Sequence, residues 1–177
     1  MTGHDAGVIR ALAVTVSNRA AAGVYADRSG PVLAGLLAAA GCSEVDGPLV
    51  VPDGEPVLTA LHEAVASGYD IVVTTGGTGL TTSDHTPEMT SRVIDRQIPG
   101  IAEAIRSAGA AAGVPSAVLS RGLAGLAGRT IVVNLPGSTG GVRDGMAVLA
   151  PILAHAVDQV RGGDHPRPPE GDHPRPA

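Results

Sequence analysis

The segment between Ile71 and Glu88 holds the residues of this chain that are best suited to chemistry. It reads IVVTTGGTGLTTSDHTPE, so a β-branched apolar run breaks into glycines and threonines and then presents Asp84 just before the helix-start signal Thr86-Pro87. Glycines let backbone amides converge on an anion, and threonine hydroxyls add further donors. The segment therefore predicts a phosphate-binding loop after a strand. Its candidate ligand-binding residues are Thr75, Gly76, Gly77, Thr78 and Gly79.

Polar residues also follow other apolar runs of the chain. Ser17 and Asn18 follow the first run, and the stretch NLPGS begins at Asn134. In open α/β sheets ligands collect outside the carboxyl ends of the strands, so we expect these junctions to line one cleft with the phosphate loop. The further candidates for substrate binding are Ser17, Ser120, Asn134, Pro136, Gly137 and Ser138.

Each candidate also has a simpler structural interpretation. Asp53 precedes a predicted helix at a position suited to an N-cap, which would stabilise the fold by ~1 kcal/mol. Asp84 could be a solvated carboxylate near a helix N-terminus, although its place directly after the loop favours a role in a site. The glycines could serve only a tight turn. Ser138 could both cap the last helix and contact phosphate, because helix N-termini attract anions.

The basic residues and the cysteine narrow the chemistry further. All twelve cationic residues are arginines, so a Walker-type lysine, a Schiff base and a lysine nucleophile are excluded. Arg121 and Arg143 are candidates for neutralising anionic substrates. His85 is either a metal ligand or an exposed loop residue, and the second interpretation is favoured. Cys42 is the single cysteine, which excludes an internal disulfide, and we expect it to be a small buried hydrophobic residue.

Length and composition predict one domain of 177 residues whose core is built from small apolar side chains. The chain has no Phe or Trp, and its formal net charge is −5. A mildly acidic chain with almost no aromatic side chains is poorly equipped to bind nucleic acid. No segment resembles a signal peptide or is apolar enough to span a bilayer, so we expect no membrane association and a cytoplasmic location.

Apolar runs and turn signals predict strands that alternate with helices. The predicted strands cover residues 8–16, 45–51, 69–75, 116–123 and 129–134, with the last two as antiparallel neighbours. The predicted helices cover residues 29–40, 55–67, 101–112 and 138–161, and a further helix begins at Thr86 and ends before Pro99. This alternation predicts a three-layer α/β/α domain with a mostly parallel sheet.

The ends of the chain differ in composition from its centre. We expect residues 1–7 to be a flexible N-terminus and residues 8–161 to form the single domain. Residues 162–177 repeat the sequence GDHPRP and are rich in Pro and His, so they have little to bury and are expected to be disordered.

Several separated motifs together resemble the MoaB/Mog family of molybdenum cofactor biosynthesis proteins. They are TTGGTG with DHTPE, VPD ending at Asp53, NLPGS, and the opening stretch VTVSNRAAAGVYADRSG. The resemblance covers about residues 8–160, in the order and spacing of the family. Several motifs that agree are far more specific than one glycine-rich loop.

The resemblance implies a mixed, mainly parallel sheet, a homotrimer, and an enzyme that joins the phosphate of molybdopterin to the AMP part of ATP. Such enzymes release pyrophosphate and need Mg²⁺. The resemblance places Asp53 and Asp84 as the catalytic and metal-binding pair, and other proteins of the same pathway are candidate partners. The alternative is a non-catalytic protein that binds or carries molybdopterin, but a simple pterin phosphate site has no use for two added negative charges.

The chemistry of adenylyl transfer is consistent with this assignment. A phosphate monoester has a second pKa of about 6, so it is mostly a dianion at neutral pH and needs no general base. The difficulty is the repulsion between two polyanions and the in-line geometry of the displacement. Because Mg²⁺ is commonly held by one or two carboxylates with substrate phosphates and water, we assign Asp53 and Asp84 to positioning the metal and the phosphates.

Overall fold

One mixed sheet of six strands forms the centre of the computed structural model, which describes residues 7–163. The strands are β1 (Arg10–Val16), β2 (Glu44–Val51), β3 (Ile71–Thr75), β4 (Arg96–Gln97), β5 (Ala124–Ala127) and β6 (Thr130–Leu135). Their order in the sheet is β2-β1-β3-β6-β5-β4. Strands β2, β1, β3 and β6 run parallel to one another. Strand β5 is antiparallel to both of its neighbours, β6 and β4.

Helices cover both faces of this sheet. They are α1 (Asn18–Ala21), α2 (Ser29–Ala39), α3 (Glu55–Ala66), α4 (Thr86–Ser91), α5 (Pro99–Ala111) and α6 (Thr139–Arg161), with a short 3₁₀ helix at Pro115–Leu119. Side chains alternate between the faces along each strand. Ala11 and Ala13 of β1 lie in one core with α2, α5 and α6, whereas Leu12 and Val14 lie in a second core with α3. The predicted three-layer α/β/α fold is confirmed.

Two predicted elements were wrong. The first half of the predicted strand at residues 116–123 is a 3₁₀ helix and the second half has no regular structure, and the strand that pairs antiparallel with β6 is instead Ala124–Ala127. The apolar residues that suggested the earlier strand do not belong to the core, since Val118 and Leu119 are exposed. The tight turn between Ala127 and Thr130 fixes the position of β5, because it pairs the residues on its two sides.

The helix that begins at Thr86 is also shorter than predicted. It ends at Ser91, and Arg96–Gln97 then pairs with β5 as a short edge strand. The sequence carries no strong signal for so short a strand, which exists because β5 offers an unpaired edge. Within residues 7–163, no helix has the length and apolar character needed to cross a membrane. The predictions for residues 1–6 and 164–177 fall outside the described part of the chain.

The strand ends bring the candidate loops together. The last residues of the four parallel strands lie side by side, with Val16 opposite Val51, Thr15 opposite Thr75 and Thr75 opposite Leu135. The loops that follow these strands therefore leave the sheet along one edge, and they carry the predicted site residues.

Candidate active site

Asp53 connects two loops that are distant in sequence. Its Oδ1 accepts hydrogen bonds from the backbone N–H of Gly54 (2.7 Å) and from Thr86 Oγ1 (3.3 Å), and its Oδ2 accepts from the backbone N–H of His85 (3.0 Å). The local interpretation of Asp53 as the N-cap of α3 was wrong, because the N-cap position belongs to Gly54 and no side chain caps that helix. Asp53 instead holds the start of α4 beside the end of β2.

Asp84 lies in the loop between β3 and α4. Its Oδ2 accepts hydrogen bonds from the backbone N–H of Thr81 (3.1 Å) and from Thr81 Oγ1 (2.6 Å). Its Oδ1 has no hydrogen-bond partner among the described residues. The carboxylate is half-buried, so it is fixed on one side and retains an oxygen that can bind a ligand.

Two glycines of the predicted phosphate loop lie directly against these carboxylates. A Cβ built on Gly77 would lie 2.2 Å from Asp53 Oδ2, and a Cβ built on Gly79 would lie 2.8 Å from Asp84 Oδ2. Gly77 also has a φ of +65°, which side-chain-bearing residues rarely adopt. These glycines are therefore required for the carboxylates to approach the loop backbone.

The first cavity opens between the ends of β1, β3 and β6 and has a volume of about 920 Å³. Both Asp53 and Asp84 line it, so the two predicted acidic residues face one common space. The cavity is also lined by predicted substrate-binding residues: Ser17, Thr75, Gly76, Gly77, Gly137 and Ser138.

The second cavity has a volume of about 650 Å³ and lies on the other side of the phosphate loop. Ile105, Val114 and Leu119 give it apolar walls. Its predicted polar or loop residues are Thr78, Gly79, Ser120 and Pro136. The two cavities share four lining residues, which are Gly77, Asp84, Gly137 and Ser138. The sequence led us to expect one cleft, whereas the candidates are divided between two adjoining cavities.

Several predicted site residues also have defined structural partners. Ser17 accepts a hydrogen bond from the N–H of Ala20, and Ser138 accepts one from the N–H of Gly141, so both are N-caps. Thr75 is buried and donates to the carbonyl of Pro136 (2.8 Å), which joins the loops that follow β3 and β6. In the second cavity, Ser120 Oγ lies 3.2 Å from Thr78 Oγ1.

Asn134 is the predicted site residue that lines neither cavity. It is buried within β6, where its Nδ2 donates to Thr74 Oγ1 and Thr90 Oγ1 (both 3.0 Å) and its Oδ1 accepts from the N–H of Leu123 (3.1 Å). Asn134 lies two residues after Val132, which belongs to the core with α3, so the alternation along β6 points its side chain to that same face of the sheet. Its side chain therefore cross-links the fold beneath the site.

The arginines predicted to neutralise substrate charge lie elsewhere. Arg121 is engaged by the loop that carries Asp84, and Arg143 is exposed and lines neither cavity. The cationic side chains that do line the cavities were missed by the sequence analysis. They are Arg19 and Arg28 in the first cavity and Arg106 in the second. The sequence signal for Arg19 and Arg28 was their place in the stretch VTVSNRAAAGVYADRSG, which begins at the end of the first predicted strand and resembles the MoaB/Mog family.

His85 and Cys42 line neither cavity. His85 is exposed, and its backbone rather than its imidazole contacts Asp53. Cys42 is buried, and desolvation, with a smaller contribution from the charge of Asp70, raises the pKa of its thiol to about 11. The expectation that Cys42 is a small buried residue is confirmed.

The acidic pair is suited to an open Mg²⁺ site and does not form a metal site in which protein side chains supply all the ligands. Among residues 7–163 no three His, Cys, Asp or Glu side chains converge on a possible metal position. Mg²⁺ does not require such a cage, because it takes one or two carboxylates and completes its coordination with phosphates and water. Asp84 Oδ1 is free of described partners, and Asp53 accepts three hydrogen bonds of the roughly four that a carboxylate can accept. The donor set therefore fits Mg²⁺.

A family model described as a probable molybdopterin binding domain matches residues 12–155. The chain therefore belongs to this family of molybdopterin-binding domains, and the family predicted from the separated motifs is confirmed. The fold agrees, since the solved structure of the molybdopterin biosynthesis Mog protein from Mycobacterium ulcerans superposes with a TM-score of 0.82 at 50% identity, covering 86% of this chain and 99% of that one.

Curated relatives include both separate and fused proteins. The chain is 33% identical over 156 residues to a molybdopterin adenylyltransferase from Helicobacter pylori, covering 84% of this chain and 86% of the relative. It is 37% identical over 164 residues to a molybdenum cofactor biosynthesis bifunctional protein from Synechococcus elongatus, covering 93% of this chain. The chain spans about half the length of the bifunctional relatives it matches.

Proposed function

We propose that this chain is a molybdopterin adenylyltransferase of molybdenum cofactor biosynthesis. It transfers the adenylyl group of ATP to the phosphate of molybdopterin in a reaction that depends on Mg²⁺. The observation that carries this proposal is that Asp53 and Asp84, from loops after two different strands, line one cavity beside a glycine-rich loop. Relatives of similar length that are named molybdopterin adenylyltransferase support the same reaction.

The reaction joins a phosphate oxygen of molybdopterin to the α-phosphorus of ATP and breaks the bond between that phosphorus and the pyrophosphate oxygen. Pyrophosphate then leaves with its electron pair. The attacking phosphate is already ionised at neutral pH, so the protein need not remove a proton. The two substrates have room in the two cavities, and the reacting phosphates would meet where the cavities share Gly77, Asp84, Gly137 and Ser138.

Each part of the site contributes to holding these groups. Asp53 and Asp84 would hold Mg²⁺, which when bound supplies positive charge to the phosphates. Arg19 and Arg28 line the first cavity and can neutralise phosphate oxygens there. The N-terminus of α6, capped by Ser138, faces the shared wall and presents backbone N–H groups to an anion. This arrangement reduces the repulsion between the two polyanions.

The proposal is tested by incubating the purified chain with ATP, Mg²⁺ and molybdopterin and measuring adenylylated pterin and pyrophosphate. We expect both products from the wild-type chain and a loss of at least about 100-fold in rate for Asp53→Asn and for Asp84→Asn. Glu103→Gln is the matched control, because it removes one negative charge from an exposed position that lines neither cavity.

The outcomes separate the enzyme from the alternative function. Binding of molybdopterin without Mg²⁺-dependent formation of pyrophosphate would support a carrier protein instead. Equal rates for the Asp variants and the control would refute the assignment of the acidic pair.

A homotrimer, a cytoplasmic location and contacts with other proteins of the pathway remain predictions. Light scattering of the purified chain tests whether it forms a homotrimer.

A further inference from the structure

The side chain of Arg121 contacts the loop that carries Asp84 at two points and the following helix α4 at a third. Its Nε donates to the carbonyl of Gly79 (2.8 Å), its Nη2 donates to the carbonyl of Asp84 (2.7 Å), and its Nη1 donates to the carboxylate of Glu88. The backbone N–H of Arg121 also donates to the carbonyl of Thr78 (2.8 Å). One residue therefore binds the loop between β3 and α4 at Thr78, Gly79 and Asp84, and binds the first turn of α4 at Glu88.

The segment has few other anchors near Asp84. Within the loop, Asp84 is bound only to Thr81, which moves with it. From outside the loop, Asp53 holds the adjacent backbone at His85. Among the described residues, Arg121 is the side chain from another part of the fold that hydrogen-bonds to Asp84 itself. The position of Asp84 therefore depends on two contacts from outside the loop, the bond from His85 to Asp53 and the bond from the Arg121 guanidinium to Asp84.

The shape of the guanidinium matters as well as its charge. Nε and Nη2 lie on one edge of a planar group, and they reach two carbonyls that are five residues apart in the chain. A lysine has a single ammonium and no such fork. The hydrogen bond from Arg121 lowers the pKa of Glu88, so Glu88 is ionised at neutral pH and holds the third corner of the guanidinium.

We propose that Arg121 is a positioning residue that holds the Asp84 carboxylate in place to receive Mg²⁺. It acts through the backbone of Asp84 and does not touch the substrates. This proposal rests on the proposed function, because it assigns Arg121 a role toward the same metal site.

The test compares Arg121→Gln, Arg121→Lys and Glu88→Gln with the wild-type chain. The matched control is Arg92→Gln, which also removes an arginine that pairs with a surface glutamate, Glu55, but lies away from both cavities. The steady-state rate is measured as a function of Mg²⁺ concentration, at a temperature where all variants are folded. Binding of Mn²⁺ in the presence of ATP is measured by electron paramagnetic resonance, and hydrogen exchange is measured over residues 79–88.

We expect Arg121→Gln to raise the Mg²⁺ concentration for half-maximal rate and the Mn²⁺ dissociation constant by about 10-fold or more, with faster hydrogen exchange in residues 79–88. Arg121→Lys should restore little of this loss, because it keeps the charge but lacks the fork. Glu88→Gln should show a smaller shift in the same direction. It also provides the test if Arg121→Gln does not fold.

Different results would overturn different claims. If the wild-type chain forms product and Arg121→Gln matches Arg92→Gln in Mg²⁺ dependence and Mn²⁺ affinity, Arg121 does not position Asp84. Full rescue by Arg121→Lys would show that charge alone matters and would also overturn the proposal. If the wild-type chain forms no product but binds Mn²⁺ with ATP, the proposed function fails, while Mn²⁺ affinity and hydrogen exchange still decide the role of Arg121.

Discussion

Gly77 offers a direct test of how the phosphate loop and Asp53 depend on each other. Substitution of Gly77 by Ala would place a methyl group 2.2 Å from both Asp53 Oδ2 and Thr86 Oγ1. Gly68 is a matched control, because its φ of +72° is close to the +65° of Gly77, while a Cβ built there meets nothing within 4 Å. The two variants therefore share the backbone strain and differ in the contact with Asp53.

The expected magnitudes follow from these two differences. Alanine in the left-handed region costs about 1–2 kcal/mol, which for a chain of this size lowers the melting temperature by about 2–8 °C. For ordinary contact, Asp53 Oδ2 must retreat from 2.2 Å to about 3.4 Å, a shift of about 1.2 Å. A displacement of this size at a reacting site reduces the rate by about 100-fold. Gly68→Ala should show the loss of stability without the loss of rate.

The assay combines thermal denaturation with initial rates of pyrophosphate release from ATP, Mg²⁺ and molybdopterin. We expect Gly77→Ala to be inactive or nearly so at a temperature where it is folded, and Gly68→Ala to retain the wild-type rate. Gly77→Ala with the wild-type rate would contradict the reasoning, since it would mean that Asp53 can move without consequence.

Three further predictions concern the fold. Asn134→Ala removes a buried amide that bonds two threonine hydroxyls, and it should lower the free energy of unfolding by about 2 kcal/mol in urea titration. Cys42 should resist thiol reagents in the folded chain at pH 8. The pKa of the Cys42 thiol rises from 9.0 to about 11 on folding, so its contribution to the free energy of unfolding is present below pH 9 and lost as the pH rises toward 11. Cys42→Ala should remove this pH dependence of stability. Arg161→Ala removes a two-point contact with Asp70 and a bond to the backbone of Val8, and it should lower stability by about 1 kcal/mol in the same titration.

Each of these predictions has a result that would count against it. For Asn134 it is an unfolding midpoint equal to that of the wild-type chain. For Cys42 it is rapid labelling of the folded protein at pH 8, or the same loss of stability above pH 9 in Cys42→Ala. For Arg161 it is a variant as stable as the wild-type chain.

Local signals in the sequence predicted most of the fold. The alternation of apolar runs with helix starts and stops depends on neighbours within a few residues, so it could be interpreted without coordinates. The N-cap at Ser138 belongs to the same class, because its partner Gly141 lies within the same turn. The prediction of a strand at residues 116–123 was wrong because exposed apolar residues cannot be distinguished from buried ones in the sequence alone.

The tertiary structure decided what the individual polar side chains do. Asp53 has the local signal of a cap, yet its partner His85 lies 32 residues away, because the order of the strands places the ends of β2 and β3 along one edge of the sheet. Asn134 points inward because it follows Val132 by two residues in β6 and so shares the face of the sheet that α3 covers. Arg121 reaches the loop of Asp84 across 37 residues of chain. Short-range hydrogen bonds follow from the spacing of residues along the chain. The contacts of Asp53, Asn134 and Arg121 depend on the order and register of the strands, which no short segment of the sequence determines.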